Sequence, residues 1–576
     1  MKGRVVFAAI LLACFVSSFA PVRAQGSLPV LPEDLYRFKF VASPAISPDA
    51  SKAAFVLETV NGPNDRYDTQ IDVVDLATGA LHAIPGGGRD GDPAWSPDST
   101  RLTFTRGSKG KPPQVYVYRP ATGSVAKLTS VKDGASGAVW SHDGKHIALR
   151  VVAKDSAHDS YVDFEAAGFK PKKSQRKSDI RIIKEMHFQA NGVGYVYDRR
   201  PHIWIANADG TNAHALTSGE WAERNAQWSP DDRTIVFDSL RRNSPSLGPN
   251  DIYTIAVTGG AMHRVPSSLT SNAIFGIDRR GRLWSTRGGI QDPAEYPQLV
   301  VSGLDGSNAR TVWEKNKVSL GDIVLADMGE PGGLCGPFFS PDNRFAVFNV
   351  SAPGYTKLVK LDTATGAMTD LTRDNGTVAE CSMDAQGKRV VYTFGDFTHL
   401  RELYTLDPAT GSSKKITSFN DAYASSHHLS VPQPFTVKDA DGLSVLAWFM
   451  PAAGDRSGAR PTILDIHGGP QTEFGNSFFH EFQVLASRGY NVVFSDPRGS
   501  VGFGYDFQEG LAKHWGDAMF DDVQHVMDAA VKRPDVDVNR LGVSGGSYGG
   551  YATLWVISHT HRYKTAIAER VVSKIG

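Results

Sequence analysis

Short runs in which apolar and polar residues alternate recur along roughly the first 420 residues. Each run follows a turn of the type Ser-Pro-Asp or a relative of it, and these turns begin at residues 47, 96, 141, 229, 278, 340 and 384. Alternation with a period of two predicts half-buried β-strands, and proline followed by aspartate favours a tight turn. The steps are 44–62 residues long except for one of 88 residues, which we interpret as two periods with one copy lost.

A second series of turns, rich in Thr-Gly and Asp-Gly, alternates with the first. Seven of these turns lie near residues 78, 122, 209, 259, 305, 365 and 410. Four strands and two turns in about 45 residues are typical of one blade of a β-propeller. The sequence therefore predicts a seven-bladed β-propeller over about 41–420. A charged, irregular stretch at 154–200 predicts a long insertion in one blade.

From about residue 425 the pattern changes to strands that alternate with helices, which predicts a parallel sheet covered on both faces. Within it, Gly545-Gly546-Ser547-Tyr548-Gly549 stands between a predicted strand and a predicted helix. In that context G-x-S-x-G is typical of a nucleophile elbow, in which the glycines let the chain turn sharply and expose the serine oxygen. We predict that Ser547 is a nucleophile.

The sequence "HGGP" at 467–470 follows an earlier strand of the same predicted sheet. A loop of this kind can supply one backbone N–H of an oxyanion hole, and the residue after the nucleophile supplies another. We assign these roles to Gly469 and Tyr548. His467 lies in the loop that builds the hole, so we do not expect it to be the catalytic base.

The composition narrows the choice of partners and cofactors. Lysine plus arginine (61) equals aspartate plus glutamate (61), so the chain lacks the basic excess of a nucleic-acid-binding protein. The cysteines Cys335 and Cys381 could form a disulfide or remain two buried thiols, because spacing alone does not bring their Cα atoms together. No His/Cys cluster accompanies them, so we expect no metal site and no cofactor. A homo-oligomer is left open.

The N-terminus has two early cations, an apolar run of about a dozen residues and then "VRA" before Gln25. This pattern predicts a secretory signal peptide (1–24) that is cleaved after Ala24, and hence a secreted or periplasmic protein. The alternative is a lipoprotein, because "LLAC" at 11–14 is similar to a processing site that would leave Cys14 lipidated. No later segment is apolar enough to cross a membrane.

The motifs "DIHGGP", "DPRGSVGFG", "WGD", "DVNRLGVSGGSYGGYAT" and "HRYKTAIA", preceded by the Ser-Pro-Asp blades, resemble the prolyl oligopeptidase family of serine peptidases. The likeness is greatest to its acylaminoacyl-peptidase and dipeptidyl-peptidase branch. The resemblance implies an N-terminal segment (25–40), a propeller and an α/β-hydrolase domain (421–576) that cleaves short peptides with Ser547. No Glu-Glu pair occurs, so a free dipeptide, an acylated residue and an internal bond all remain open as substrates.

In this fold an Asp or Glu and then a His follow the nucleophile along the chain. The candidates that follow it are His559, His561 and Glu569, and we expect none of them to be the base. We therefore expect an incomplete hydrolase domain, truncated at its C-terminus, that is inactive and poorly stable. Two alternatives are a periplasmic propeller that binds ligands beside a vestigial hydrolase, and a carboxylesterase that uses the same serine.

Overall fold

The computed structural model describes residues 28–572 apart from 155–182, 184–187, 191–192, 242–249, 268–271, 288–297, 315–317, 330–331, 374, 439–441, 455–456 and 513. The predicted signal peptide, Cys14 and most of the predicted insertion lie outside the described residues. No helix among the described residues is long and apolar enough to cross a bilayer.

Seven antiparallel sheets form a propeller, and each sheet is built from strands that are neighbours in sequence. Blades 1 to 3 contain β1 (Lys39–Ile46), β2 (Lys52–Asn61), β3 (Arg66–Asp75), β4 (Leu81–Ala83), β5 (Asp90–Trp95), β6 (Leu102–Ser108), β7 (Lys111–Arg119), β8 (Ser124–Lys127), β9 (Ser136–Trp140), β10 (His146–Lys154), β13 (Arg199–Asn207) and β14 (His214–Ala215). A hairpin of β11 (Gln189–Ala190) and β12 (Gly194–Tyr195) lies between β10 and β13.

The remaining blades complete the ring. Blade 4 has β15 (Glu223–Trp228), β16 (Thr234–Ser239), β17 (Asp251–Ala256) and β18 (His263–Arg264), and blade 5 has β19 (Asn272–Ile277), β20 (Leu283–Arg287), β21 (Gln298–Ser302) and β22 (Arg310–Glu314). Blade 6 has β23 (Ser319–Leu320), β24 (Phe338–Phe339), β25 (Phe345–Ala352), β26 (Tyr355–Asp362) and β27 (Met368–Asp370), and blade 7 has β28 (Thr377–Met383), β29 (Val390–Asp396), β30 (His399–Leu406) and β31 (Ser413–Lys415).

The Ser-Pro-Asp turns owe their recurrence to one set of hydrogen bonds. In five blades the serine Oγ donates to the aspartate carboxylate two residues later at 2.5–2.7 Å. The same Oγ accepts the backbone N–H five residues later at 2.9–3.1 Å. These serines are buried, so the motif closes each turn from within and its function is structural.

The 88-residue step in the repeat is one blade and not two, so the expectation of a lost copy is wrong. Strand β10 pairs directly with β13, from His146 opposite Asn207 to Lys154 opposite Arg199. The insertion therefore leaves blade 3 after its second strand and returns as its third. Seven turns of the Ser-Pro-Asp series accordingly correspond to seven blades.

Two features hold the last blades and the ring together. Cys335, in the segment before β24, and Cys381, in β28, form a disulfide that joins blades 6 and 7. Blade 1 closes against blade 7 through packing, where Phe55 contacts a cluster that includes Val391 and Leu403. Both contacts join residues that are distant in sequence.

The C-terminal domain contains a six-stranded sheet in the order β32-β33-β35-β34-β36-β37. Its strands are β32 (Gln433–Lys438), β33 (Ser444–Met450), β34 (Arg460–Ile466), β35 (Asn491–Asp496), β36 (Val536–Gly546) and β37 (Thr565–Glu569). The pairs β35–β34, β34–β36 and β36–β37 are parallel. In β37 the side chain of Ile567 is 58% exposed.

The helices are α1 (Asp421–Ser426), α2 (His480–Ser487), α3 (Tyr505–Glu509), α4 (Asp517–Ala530) and α5 (Tyr548–His559), with 3-10 turns at Pro32–Arg37 and Gly62–Asn64. Helices α4 and α5 pack on the sheet through a core that includes Val526, Ala552 and Leu464. A propeller followed by an α/β-hydrolase domain is therefore confirmed as the fold.

Candidate active site

Ser547 stands between the end of β36 and the start of α5, in a backbone conformation that few L-residues adopt. Its φ is 58° and its ψ is −116°. Two hydrogen bonds fix this turn: Ser547 N–H donates to the Glu569 carbonyl at 2.9 Å, and Tyr551 N–H donates to the Ser547 carbonyl at 3.1 Å. A non-glycine residue is held in such a conformation only where the surroundings enforce it, and such strain is common at functional sites.

The three glycines around Ser547 differ in how much room their surroundings leave for a side chain. A Cβ on Gly549 would lie 1.9 Å from the Ile466 carbonyl oxygen, and a Cβ on Gly545 would lie 2.5 Å from the same oxygen. A Cβ on Gly546 would meet first the tip of the Arg570 side chain at 3.2 Å. Gly545 and Gly549 therefore let β36 and α5 approach β34, whereas Gly546 is not demanded by backbone contacts.

The chain segments that hold the two predicted oxyanion donors come close together at Ser547. A Cβ built on Gly468 would be 3.4 Å from the Ser547 Cβ, so the loop after β34 lies near the nucleophile. Gly469, the next residue, has a φ of 115°. Tyr548 is the first residue of α5, where backbone N–H groups lack intrahelical acceptors. The structure thus brings the two chain segments together, and their role in binding an oxyanion stays a prediction.

His467 is buried and its ring is occupied by partners other than the nucleophile. Nδ1 lies 2.6 Å from the Gly468 carbonyl oxygen, and Nε2 lies 2.9 Å from Ser500 Oγ. Burial lowers the pKa of His467 to about 4, so the imidazole is neutral at neutral pH. This environment suits a residue that shapes the loop.

The side chains of the three candidates beyond Ser547 have other surroundings or partners. His559 ends α5, twelve residues or about 18 Å along the helix from Ser547, and its Nδ1 donates to the Trp555 carbonyl. His561 is exposed. Glu569 contributes its carbonyl to the turn, while its carboxylate pairs with Arg570 at 3.2 Å. Within the described residues no side chain is hydrogen-bonded to the Ser547 hydroxyl.

A half-buried carboxyl group that the sequence analysis missed lies behind the elbow. Ser544 Oγ donates to Asp465 Oδ2 at 2.6 Å, across the parallel pair β34–β36. Burial raises the pKa of Asp465 to about 8. The signal in the sequence was an aspartate inside the apolar strand "PTILDI", where a charged residue needs a partner.

The propeller covers the edge of the sheet at which Ser547 lies. Asp327, before β24, accepts the N–H groups of His480 and Glu481 at 2.9 and 2.7 Å and so caps α2. Gly354, between β25 and β26, accepts the N–H of Asn476 at 2.8 Å. These hydrolase residues follow the carboxyl end of β34, so blade 6 lies over the mouth of the site.

The described residues contain no group of three or more His, Cys, Asp or Glu side chains arranged to hold a metal ion. A strained serine beside two glycine-rich backbone segments is the arrangement used for acyl transfer.

Comparison with known proteins agrees with this assignment. Residues 476–575 match the family model described as the prolyl oligopeptidase family. The chain is 28% identical to an uncharacterised peptidase, YuxL, of Bacillus subtilis, over 94% of this chain and 82% of that protein. It is 24% identical to dipeptidyl-peptidase 5 of Porphyromonas gingivalis, over 92% of this chain and 76% of the relative.

Solved structures agree on the fold. The acylaminoacyl peptidase of Pyrococcus horikoshii superposes with a TM-score of 0.76 at 20% identity, covering 95% of this chain and 80% of that one. The elbow and the glycine loop lie in or beside the region that matches the family model, so residues 476–575 belong to the prolyl oligopeptidase family of serine peptidases, and the chain as a whole is similar to peptidases.

Proposed function

We propose that this protein hydrolyses short peptides, as a dipeptidyl- or acylaminoacyl-peptidase, with Ser547 as nucleophile and the backbone N–H groups of Tyr548 and Gly469 as oxyanion donors. The observation that carries the proposal is the closeness of the strained Ser547 to the glycine loop after β34. Preorganised donors at this position stabilise the negative charge that develops on the substrate carbonyl.

The position of the propeller supports short substrates. Blade 6 contacts the loop that follows β34 and the start of α2, on the edge of the sheet that carries Ser547. A folded protein is too wide to enter between two domains in contact, whereas an extended peptide is one strand wide. The names of two similar proteins, dipeptidyl-peptidase 5 and acylaminoacyl peptidase, support the same substrate class.

We further propose that a polypeptide of the printed sequence, assayed alone, is nearly inactive. The Ser547 hydroxyl has no imidazole or carboxylate partner among the described residues. A serine hydroxyl without a base is a weak nucleophile, and loss of triad members lowers turnover on the order of a million-fold. A small rate supplied by the oxyanion donors is expected to remain.

The test compares release of p-nitroaniline from a dipeptidyl substrate with a free amine, from an N-acetyl-aminoacyl substrate and from a doubly blocked peptide. Ser547→Ala is expected to abolish the slow rate, and Ser558→Ala, on the exposed end of α5, is the matched control. Fast turnover that needs Ser547 would show that a base is supplied and refute near-inactivity. A rate unchanged by Ser547→Ala would refute the nucleophile, and hydrolysis of esters without amides would indicate a carboxylesterase.

We also propose that the protein is exported. The N-terminal pattern (1–24) and a disulfide between Cys335 and Cys381 both support an oxidising compartment. Sequencing of the mature N-terminus is expected to begin at Gln25. A blocked N-terminus that carries lipid on Cys14 would instead support the lipoprotein alternative, and an intact Met1 would refute export.

A further inference from the structure

The loop that contains Gly469 belongs to the hydrolase domain and continues into a segment that contacts the propeller. The Leu325 N–H donates to the Glu473 carbonyl at 2.9 Å, and Val324 forms a parallel β-bridge with Glu473. A Cβ on Gly475 would lie 2.5 Å from the Gly354 carbonyl oxygen, so that contact is tight. The segment 472–476 therefore pairs with the propeller through its backbone.

The side chain of Glu473 is buried in this junction. Its Oε2 accepts the N–H of Gly354 at 3.1 Å, while Oε1 has no hydrogen-bond partner among the described residues. A Cβ on Gly502 would lie 2.5 Å from Oε2, so a second hydrolase loop packs against the carboxyl group. An ionised carboxylate with so few partners would be costly in such a place.

A second buried carboxyl group belongs to the same junction. Asp496, at the end of β35, accepts the N–H of Phe474 at 2.7 Å through Oδ1, and no described residue forms a hydrogen bond with its Oδ2. Burial raises the pKa of both Glu473 and Asp496, and the negative charge of Asp496 raises that of Glu473 further. Glu473 is the residue before Phe474, whose N–H Asp496 accepts, and each carboxyl group keeps one buried oxygen without a partner among the described residues. Two neighbouring buried carboxyl groups are best accommodated when they hold one proton between them.

The charged groups described around Glu473 and Asp496 do not offset a full negative charge on both carboxyl groups. His467 Nε2 lies 3.8 Å from Asp496 Oδ1 but is neutral at neutral pH, because burial lowers its pKa to about 4. On the propeller side, Asp322 adds a third carboxyl group, and Arg401 lies 3.6 Å from its Oδ2. Arg401 thus pairs with Asp322, and a proton held between Glu473 and Asp496 reduces the negative charge that remains.

We propose that Glu473 is a positioning residue for the oxyanion loop, and that it holds the loop against blade 6 by sharing one proton with Asp496. The link to the reacting centre runs through Thr472, whose Oγ1 donates to the Gly468 carbonyl at 2.6 Å. Gly468 lies near Ser547, because a Cβ added to it would be 3.4 Å from the Ser547 Cβ, and it precedes Gly469. This inference rests on the proposed role of Gly469, and it makes the loop sensitive to alkaline pH.

The test measures backbone hydrogen exchange of residues 467–479 in the full chain from pH 6 to pH 9, corrected for the intrinsic exchange rate. In the wild type, protection is expected to fall by up to about tenfold for each pH unit while the closed loop keeps the shared proton and the open loop has lost it, and to level off once the closed loop loses it too. Glu473→Gln should stay protected across the range, because its amide can still accept from Gly354 and does not titrate. Glu473→Ala should lose protection at every pH.

Asp238→Asn is the matched control, because Asp238 is a buried carboxyl group of blade 4 whose pKa burial raises to about 6. This variant should reproduce the wild-type pH dependence of the loop. The proposal is overturned if Glu473→Gln keeps the wild-type pH dependence, if Glu473→Ala leaves protection unchanged, or if Asp238→Asn abolishes the dependence.

Hydrogen exchange can be measured without turnover, so this test does not depend on the proposed function. If Ser547 were not the nucleophile, the loop would still show its pH dependence. Where a rate is measurable, Glu473→Ala should lower kcat with little change in KM, because an oxyanion donor acts in the transition state. A change in KM alone would overturn the positioning role while leaving Ser547 as the nucleophile.

Discussion

Replacing Gly549 by alanine is expected to force α5 away from β34. The new Cβ would lie 1.9 Å from the Ile466 carbonyl oxygen and 2.9 Å from that of His467. An ordinary C···O contact is about 3.3 Å, so the helix start or the strand end must move by about 1.4 Å. Both opposing atoms are backbone atoms in a packed core, so no side-chain rotation relieves the clash.

The size of the effect follows from the cost of overpacking, which is typically about 1–3 kcal/mol. We expect the upper end, about 3 kcal/mol, because the contact is with backbone on both sides. That free energy corresponds to a loss of about 100-fold in hydrogen-exchange protection of residues 548–559. The measurement is made on the whole chain at neutral pH, with exchange read by mass spectrometry of peptides from α5.

Gly546→Ala is the control for this prediction. Its Cβ would first meet Nη2 of Arg570 at 3.2 Å, the tip of a side chain that is 81% exposed and can move away. The expected change is within about 0.5 kcal/mol, or about twofold in protection. Equal protection of α5 in the two variants would refute the argument that close approach of β34 and α5 requires glycine at 549.

Two further predictions concern stability. Cys381→Ser should lower the free energy of unfolding by about 4 kcal/mol, because the disulfide closes a loop with a sequence separation of 46. A urea midpoint equal to that of the oxidised wild type would contradict this prediction. A reductant should lower the midpoint of the wild type only. The pKa of Asp465 is raised from 3.8 to about 8 in the folded chain. Between these two pH values the folded chain holds a proton that the unfolded chain has lost. The free energy of unfolding should therefore fall as pH rises from about 4 to 8, by up to about 1.4 kcal/mol per pH unit. Asp465→Asn should flatten that slope in urea titrations, and an unchanged slope would contradict the assignment.

The sequence was most informative where structure is locally determined. The Ser-Pro-Asp turns are closed by hydrogen bonds within five residues, so their recurrence predicts the blades. The nucleophile elbow is likewise a local strand–turn–helix motif around Ser547. In both cases the residues that make the structure are neighbours in the chain.

The features that could not be predicted depend on contacts between distant residues. The pairing of β10 with β13 spans a long insertion, so the 88-residue step could not be distinguished from two periods. The disulfide joins Cys335 to Cys381 because blades 6 and 7 are adjacent in space. Glu473 lies in a loop of polar appearance, "PQTEFG", and becomes buried only because the propeller packs on it.

The central claim, that Ser547 is the reactive nucleophile of this peptidase, is tested most directly by prolonged exposure to a fluorophosphonate followed by mass mapping of the modified peptide. The account predicts a slow reaction that places the adduct on Ser547, with no adduct in Ser547→Ala. An adduct on a different serine, or equal labelling of the wild type and Ser547→Ala, would contradict it.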